Sequence, residues 1–543
     1  MLTTAYPQVP KPMLSQQATR GRHPSPLEPP FNSRHTVDSL PDELLCEIFS
    51  LVQTDDIARS WYRVLWVCRR WSAVGRAAAC LWCEITTRFR LNRSFIVASL
   101  EYSQNSPLTI TLDEMANLQE VLPLFSLHVH RIRSFSISGE LITANDGALA
   151  TFLSHPFPSL ETFEEESEVC EDFPPPQDVL IWQPDASGCP RLRDLIVGGS
   201  MSIKVAPTTV FPALRRLALR DNRSPSFTLE SFTQFLSLHM HIERLELDQY
   251  NLAVDGPFAT RTFPPTIRHF SFYGGGTNHV KHFLASFTHI PAHASFVISH
   301  KFDEHETGTA ADITAFAARM FPNPPQRHLH TLSRVTSVAL ETNLFEGWTL
   351  AGRALPGDDM PLVELMAHYD LLPFSGFLPS RHLAGIVQIF NGDLITDVRL
   401  TTFVGALPKA EWVALFDACP LLEHVAIEDI VIEDDDDARE GLFEALQEPP
   451  RGGEPRWPRL RRFTVVCQDY TEPFISLLPR ALQVRAEQGA KVDLLRLFIL
   501  RWSWKMQTHG SEIMDKLAPW FEEAEWKRFV NDARLDLTLP YPY

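Results

Sequence analysis

The sequence predicts a chain of mixed α and β structure: a three-helix module near the N-terminus, followed by an irregular, curved α/β solenoid with parallel strands. Two observations carry this. Residues 36–86 place apolar side chains at helical spacing. From residue 106 onward a short phrase recurs, in which a Pro and then a Leu or Ile precede an alternating, strand-like run. Helix-like runs such as "TLESFTQFLSLH" and "KAEWVALFDA" separate the copies.

The elements follow in order. Residues 1–35 are rich in Pro, Ser, Gln and Arg without periodicity. Such a segment buries too little surface to offset its ordering entropy, so a disordered tail is expected there. "LPDELLCEIFSLV" then opens a helix. Pro41 suits a first-turn position, because its missing N–H is not needed there. Asp42 and Glu43 favour the positive end of the helix dipole. Leu44, Leu45, Ile48 and Val52 recur at helical spacing. A second run, "SWYRVLWVCRRWSAVGRAA", is also helical in pattern, and "CLWCEI" closes the module.

The repeated phrase reads "FPSLETFEEE" at 157, "CPRLRDLIVGG" at 189, "FPALRRLALRDN" at 211, "HIERLELDQYN" at 241 and "PPTIRHFSFYGG" at 264. Further copies are "LSRVTSVALE" at 332, "CPLLEHVAIEDI" at 419 and "WPRLRRFTVVC" at 457, with "SPLTITLDE" at 106 and "HRIRSFSISGE" at 130 as earlier members. The first aliphatic residues Leu160, Leu192, Leu214, Ile242 and Ile267 are 32, 22, 28 and 25 residues apart, and Leu422 to Leu460 is 38. A strand–turn–helix unit of ~20–29 residues accounts for the central steps, and the rest require insertions. The phrases 192–197, 214–219, 242–247 and 267–272 are therefore expected to be adjacent parallel strands. The interval 275–410 lacks the period, and "FEGWTLAGRALPGDDMPL" within it reads as a long loop or cap. "EDDDD" at 433–437 and "QEPPRGGEPRWP" at 447–458 read as exposed loops.

Composition narrows the function. The formal net charge of -18 repels phosphate backbones and anionic lipid, so neither nucleic-acid nor membrane partners are expected. Eight cysteines are sparse and irregular, unlike a disulfide framework, and imply a reducing cytoplasmic or nuclear compartment. No secretory h-region and no run of ~18 apolar residues is present. Cys80-x-x-Cys83 lacks a second pair, and the paired histidines at 128, 239 and 328 lack a Cys or carboxylate at fixed offset, so no metal is expected. "HKFDEHE" at 300–306 reads as a solvated turn. "GGG" at 274–276 lacks the Lys-Ser/Thr of a phosphate loop, and no catalytic or cofactor fingerprint is present.

Residues 40–85 resemble an F-box in three linked pieces: the "LPDELLCEIF" opening, the "VCRRW" centre and the "LW..I" ending. The order and separation match as well. The long, aromatic "TDDIARSWYRVLW" connection and Ala79-Cys80, where a Pro often precedes Leu-Trp, depart from the pattern. The resemblance implies a non-enzymatic module, residues 36–86, that docks on a Skp adaptor and through it on a cullin scaffold. By resemblance, Leu40, Pro41, Leu44, Leu45, Ile48, Val67, Cys68, Trp71, Leu81 and Trp82 match positions that pack the module or meet the adaptor. Independently, so small an apolar unit needs its leftover surface covered.

Residues 87–543 resemble the leucine-rich-repeat class of F-box proteins. That class implies a solenoid that captures an unknown protein substrate for ubiquitination, with no cofactor. Two alternatives stay open: a scaffold that binds partners without directing ubiquitination, and an enzyme whose site lies unrecognised in 275–410. In "LRRLALRDN" a period of two sends Leu214, Leu217 and Leu219 inward and Arg216, Ala218 and Arg220 outward. Arg220 and Glu246 are the candidate substrate contacts on the concave sheet face.

Overall fold

The computed structural model describes residues 40–54, 61–87, 93–113, 117–138, 147–166, 180–198, 201–206, 208–220, 227–248, 252, 259–274, 277–302, 313–322, 325, 329–343, 347–356, 358, 360–369, 382–401, 408–430, 440–448, 457–467, 472–500 and 528–538. The expected N-terminal tail and the "EDDDD" run lie outside the described residues. The chain forms two compact units, Met1–Leu81 and Trp82–Tyr543.

In the first unit, helix α1 (Asp42–Thr54) is followed by a 3-10 turn at Trp61–Trp66, helix α2 (Arg69–Ala77) and a second 3-10 turn at Ala79–Trp82. The second apolar run is thus split rather than continuous. The break falls at Cys68, whose extended backbone ends the 3-10 turn and whose Sγ accepts the Trp71 N–H at 3.4 Å. A thiol acts here as the N-cap that Ser or Asp usually supplies.

The second unit is built on strands β1 (Glu84–Thr86), β2 (Leu108–Leu112), β3 (Ile132–Ser138), β4 (Thr162–Glu166), β5 (Leu180–Trp182), β6 (Asp194–Val197), β7 (Met201–Ile203), β8 (Arg216–Arg220), β9 (Arg244–Asp248) and β10 (His269–Tyr273). It continues through β11 (Ser295–Phe302), β12 (Ser337–Asn343), β13 (Gly347–Arg353), β14 (Val363–Tyr369), β15 (Asp397–Thr401), β16 (His424–Ile430), β17 (Arg462–Cys467), β18 (Val492–Leu500) and β19 (Val530–Thr538). Among the described residues, 17 of these strands make one sheet. The four phrases at 192, 214, 242 and 267 form β6, β8, β9 and β10, adjacent and parallel as their spacing predicts.

One local device repeats along this sheet. The first aliphatic residue of each phrase sits in a tight turn before the strand, buried, with its N–H bonded three residues back. Examples are Leu192 to Cys189, Leu214 to Phe211, Ile242 to His239, Ile267 to Pro264 and Leu422 to Cys419. The next N–H then reaches the previous repeat: Arg215 to Arg193 O at 2.7 Å, Glu243 to Arg215 O at 2.7 Å, Arg268 to Glu243 O at 2.8 Å. Strands therefore begin about two residues later than the hydrophobic pattern implies. The leading Leu or Ile is a turn plug, and the backbone ladder propagates from the turn.

Helices cover one face of the sheet, where rings interlock: Phe270 stacks on Phe283 at 5.4 Å, and Phe135 lies 5.1 Å from Phe152. Between β4 and β8 the described chain carries strands instead. The short parallel pair β5–β7 supplies Trp182, 4.3 Å from Phe163, as cover.

The interval 275–410 is corrected by the structure. β12, β13 and β14 form an antiparallel meander inserted so that β14 pairs with β11 and β12 pairs with β15. "GWTLAGR", expected as loop, is the one strand that runs against its neighbours among the described residues. Its periodicity is hidden because Gly347, Gly352 and Ala351 replace branched side chains. Gly352 is required by space, since a Cβ there would meet the Phe390 ring at 2.9 Å.

His239 ties two repeats together. The Phe211 N–H donates to Nε2 at 2.9 Å, so Nδ1 must carry the proton it gives to the Phe235 carbonyl at 2.7 Å. Burial pushes this imidazole below its ordinary value of 6.5, outweighing the carbonyl bond that favours the charged ring. The unfolded chain binds that proton more readily than the folded one. The stabilisation is complete above pH 6.5 and is lost as pH falls below it. A melting temperature that drops between about pH 7.5 and about 5.5, with a shallower drop in His239→Gln, is the expected result.

Candidate functional site

In the first unit, α1 has two unlike faces. Leu45 and Phe49 point inward, and Phe49 packs on Trp71 with ring centroids 5.1 Å apart. Leu44, Ile48 and Leu51, spaced four and three residues apart, lie on the outer face and are exposed. Trp66 and Val67, at the end of the 3-10 turn, are 74% and 61% exposed. Arg70 anchors the start of α1 through the Leu40 carbonyl and, at 2.6 Å, the Asp42 carboxylate. So many apolar side chains left in water by so short a segment mark a surface made to be covered.

The ten positions that the resemblance singles out divide by burial. Pro41, Leu44, Ile48 and Val67 are exposed, and Leu40, Cys68 and Trp71 are half-buried. Leu45, Leu81 and Trp82 are withdrawn from solvent and pack the chain's own interior. Trp82 lies 4.8 Å from Tyr102 and 6.0 Å from Phe95, and Ile85 is in β1. Trp82 and Ile85 of the "LW..I" ending thus serve the second unit's interior, which explains why they are apolar without being free to dock. Leu51 and Trp66 were not among the sequence candidates. The signal for Leu51 was its place seven residues after Leu44, and for Trp66 its place beside Val67.

The sheet face opposite the described helices carries the second set of sequence candidates. Arg216 and Arg220 do point outward, but Ala218 between them is buried, directly across from Glu246. Glu246 itself is a correction: it is 8% exposed and serves as the hub of an ion cluster rather than a free contact. It receives Arg216 at 3.0 Å, Arg220 at 3.4 Å and Arg244 at 2.5 Å from three neighbouring positions. Burial alone would raise its carboxyl, but the three guanidinium groups outweigh that and hold it below the usual carboxylate range. Arg220, half-buried and tied to Glu246, is partly spent on this cluster.

A second polar array crosses β12, β15, β16 and β17. Ser337 Oγ donates to Asp397 Oδ1 at 2.9 Å, His424 Nδ1 donates to Asp397 Oδ2 at 2.5 Å, and His424 Nε2 faces Thr464 Oγ1 at 3.1 Å. Burial would raise Asp397, yet the His424 bond and charge and the Ser337 bond hold it below its ordinary value. A hydroxyl, an imidazole and a carboxylate in line can move a proton. Among the described residues, the backbone around Thr464 is engaged in the ladder with β16 and β18. In the interval 275–410, burial and then Glu341 push Glu364 up, against Arg353. An open groove of about 420 Å³ near Phe390 and Asn391 has Asp393 as its ionisable group. Among the described residues no three His, Cys, Asp or Glu converge as metal ligands, and no helix is long and apolar enough to cross a membrane.

Comparison with curated proteins gives no match. Among solved structures, the chain is similar to the crystal structure of the leucine-rich repeat-containing protein LegL7 from Legionella pneumophila. The identity is 9% and the TM-score 0.24, over 79% of this chain and 89% of that one. Residues 37–88 match the family model described as F-box-like, a class whose members generally bind the Skp adaptor as a protein partner. With the two-faced α1 and the Cys68-capped α2 inside that stretch, residues 37–88 of this chain are an F-box-like domain.

Proposed function

We propose that this chain is a substrate-recognition subunit of a Skp–cullin–F-box ubiquitin ligase, acting in the cytoplasm or nucleus. The carrying observation is the exposed apolar face of Leu44, Ile48, Leu51, Trp66 and Val67 within an F-box-like domain. Covering that face with the adaptor would tether the chain to a cullin scaffold. The repeat sheet would hold a protein substrate on its helix-free face, with the Arg216–Arg220–Arg244 region as one contact. Catalysis would then be by proximity: the bound substrate sits at high effective concentration near the ubiquitin-charged enzyme, and no residue of this chain performs the chemistry.

The test is reconstitution with purified Skp adaptor, cullin complex and a partner captured by the full chain. Ubiquitin transfer to that partner should require the chain and should fail with Leu44→Asp, Ile48→Asp, even though the partner remains bound. Transfer that is equal with parent and variant, or absent with both, defeats the ligase role and leaves the scaffold alternative, which shares the same docking face.

A further inference from the structure

Glu246 shows what this sheet does with arginines from neighbouring strands: a single carboxylate accepts three of them. A second arginine set lies on the same sheet face toward the C-terminal edge, and among the described residues no carboxylate joins its members as Glu246 does. Arg462 on β17, Arg496 on β18 and Arg534 on β19 are all exposed. The backbone register places Arg496 directly beside Arg534. Like charges set opposite each other on adjacent strands are unfavourable. Arg534 reaches Asp532 on its own strand at 3.2 Å, a solvent-exposed pair worth little. Arg462 and Arg496 have no ion pair among the described residues. The adjoining row runs Asp397, His424, Arg462, Leu494 and Asp532, in which Asp397 is committed to Ser337 and His424 and Asp532 pairs with Arg534.

The register also defines a floor. Arg399, Ala426, Thr464, Arg496 and Arg534 lie in one row across β15 to β19. Ala426 and Thr464 are small, so the row is a shallow trough bounded by guanidinium groups. Adjacent strands are about 4.8 Å apart, so the arginines mark out a strip rather than a point. A strip suits a series of carboxylates more than one compact anion. In a chain of net charge -18, a local basic strip selects its partner by sign.

We infer that the helix-free face of β15 to β19 binds a Glu- or Asp-rich segment of a partner protein, whose carboxylates take between Arg462, Arg496 and Arg534 the place that Glu246 fills among Arg216, Arg220 and Arg244. This rests on the reading that the repeat region holds a protein partner, and it specifies that partner's chemistry. Planar guanidinium groups grip carboxylates in paired hydrogen bonds, which gives the strip geometric as well as electrostatic preference.

The probe is a fluorescein-labelled oligoglutamate peptide titrated with the full chain and read by anisotropy, with an oligoglutamine peptide as control. The parent should bind oligoglutamate in preference, more weakly as salt rises. Arg462→Glu, Arg496→Glu should weaken binding about tenfold or more, because each exposed charge contact is modest and reversal adds repulsion. Reversal at Arg93 and Arg480, exposed on helices, changes the net charge equally and should leave binding near the parent value. Circular dichroism checks folding, and the milder Arg462→Gln, Arg496→Gln stands in if the reversal unfolds. The inference is overturned if the parent does not prefer oligoglutamate, if the strip variants bind as the parent does, or if the control reversal weakens binding as much. Skp adaptor binding, measured on the same samples, separates the two readings: its loss in the parent defeats the docking role without touching the acidic-segment site.

Discussion

Replacing Leu44 and Ile48 together by Asp should lower affinity for purified Skp adaptor by about a hundredfold or more while the repeat region stays folded. Both side chains are exposed on the outer face of α1, so neither supports the fold from within. An apolar interface anchor contributes roughly 2 kcal/mol or more, and about 1.4 kcal/mol is a tenfold change. Two lost anchors with two carboxylates desolvated in their place exceed the hundredfold mark on that scale. Leu40→Ala, Pro41→Ala should also weaken binding, since Pro41 is exposed beside this face and Leu40 is half-buried at its start. Leu45→Ala is the contrasting control: it should weaken binding by loosening the unit, with a visible loss of helical signal. The measurement is a titration with circular dichroism on each variant. An unchanged dissociation constant for the Asp pair would remove this face from adaptor docking.

The F-box-like segment was legible because its apolar residues come in three pieces of fixed spacing. Which of those residues dock and which pack was not legible. Leu44 and Leu45 are neighbours of one type, yet the turn of the helix sends Leu45 to the interior and Leu44 to water. Trp82 matched the motif as well as Val67 did, but its ring is held by Phe95 and Tyr102. Burial is a property of what the rest of the chain brings to a site, and a motif carries no record of it.

The repeat region shows the same division. Alternation in "LRRLALR" put Leu217 and Leu219 on the core side, where the structure has them. Period-two logic stops at the face of one strand, so alternation alone marks Glu246 as an outward charge. Its burial comes from arginines that only strand pairing brings beside it. The meander at β12 to β14 is not legible in the sequence for a different reason. An inserted antiparallel strand needs no helix after it, so the strand–turn–helix period vanishes just where the sheet continues. The arginine strip was hidden likewise: Arg462, Arg496 and Arg534 are far apart in the chain and meet only through register.

Ile242→Ala should destabilise the repeat region by about 2–5 kcal/mol, the usual cost of removing a fully buried branched aliphatic side chain. Ile242 has no exposed surface, and its N–H closes the turn onto His239 O at 3.2 Å. It plugs the turn from which β9 starts, and Glu243 beside it bonds to Arg215 O of the preceding repeat. A cavity at this point loosens the turn on which two strand pairings depend. In a solenoid each repeat contacts its neighbours, so the damage should be local before it is global. Amide hydrogen exchange should accelerate first in β8, β9 and β10, while strands from β15 onward retain protection until the whole region opens. Adaptor affinity should not change, because Leu44, Ile48 and their neighbours belong to the other compact unit. Thermal melting and site-resolved exchange on Ile242→Ala check both statements. An unchanged melting temperature would show that the leading aliphatic residue of the phrase is not a structural plug. Uniform acceleration across every strand would show that the sheet opens as one body instead of repeat by repeat.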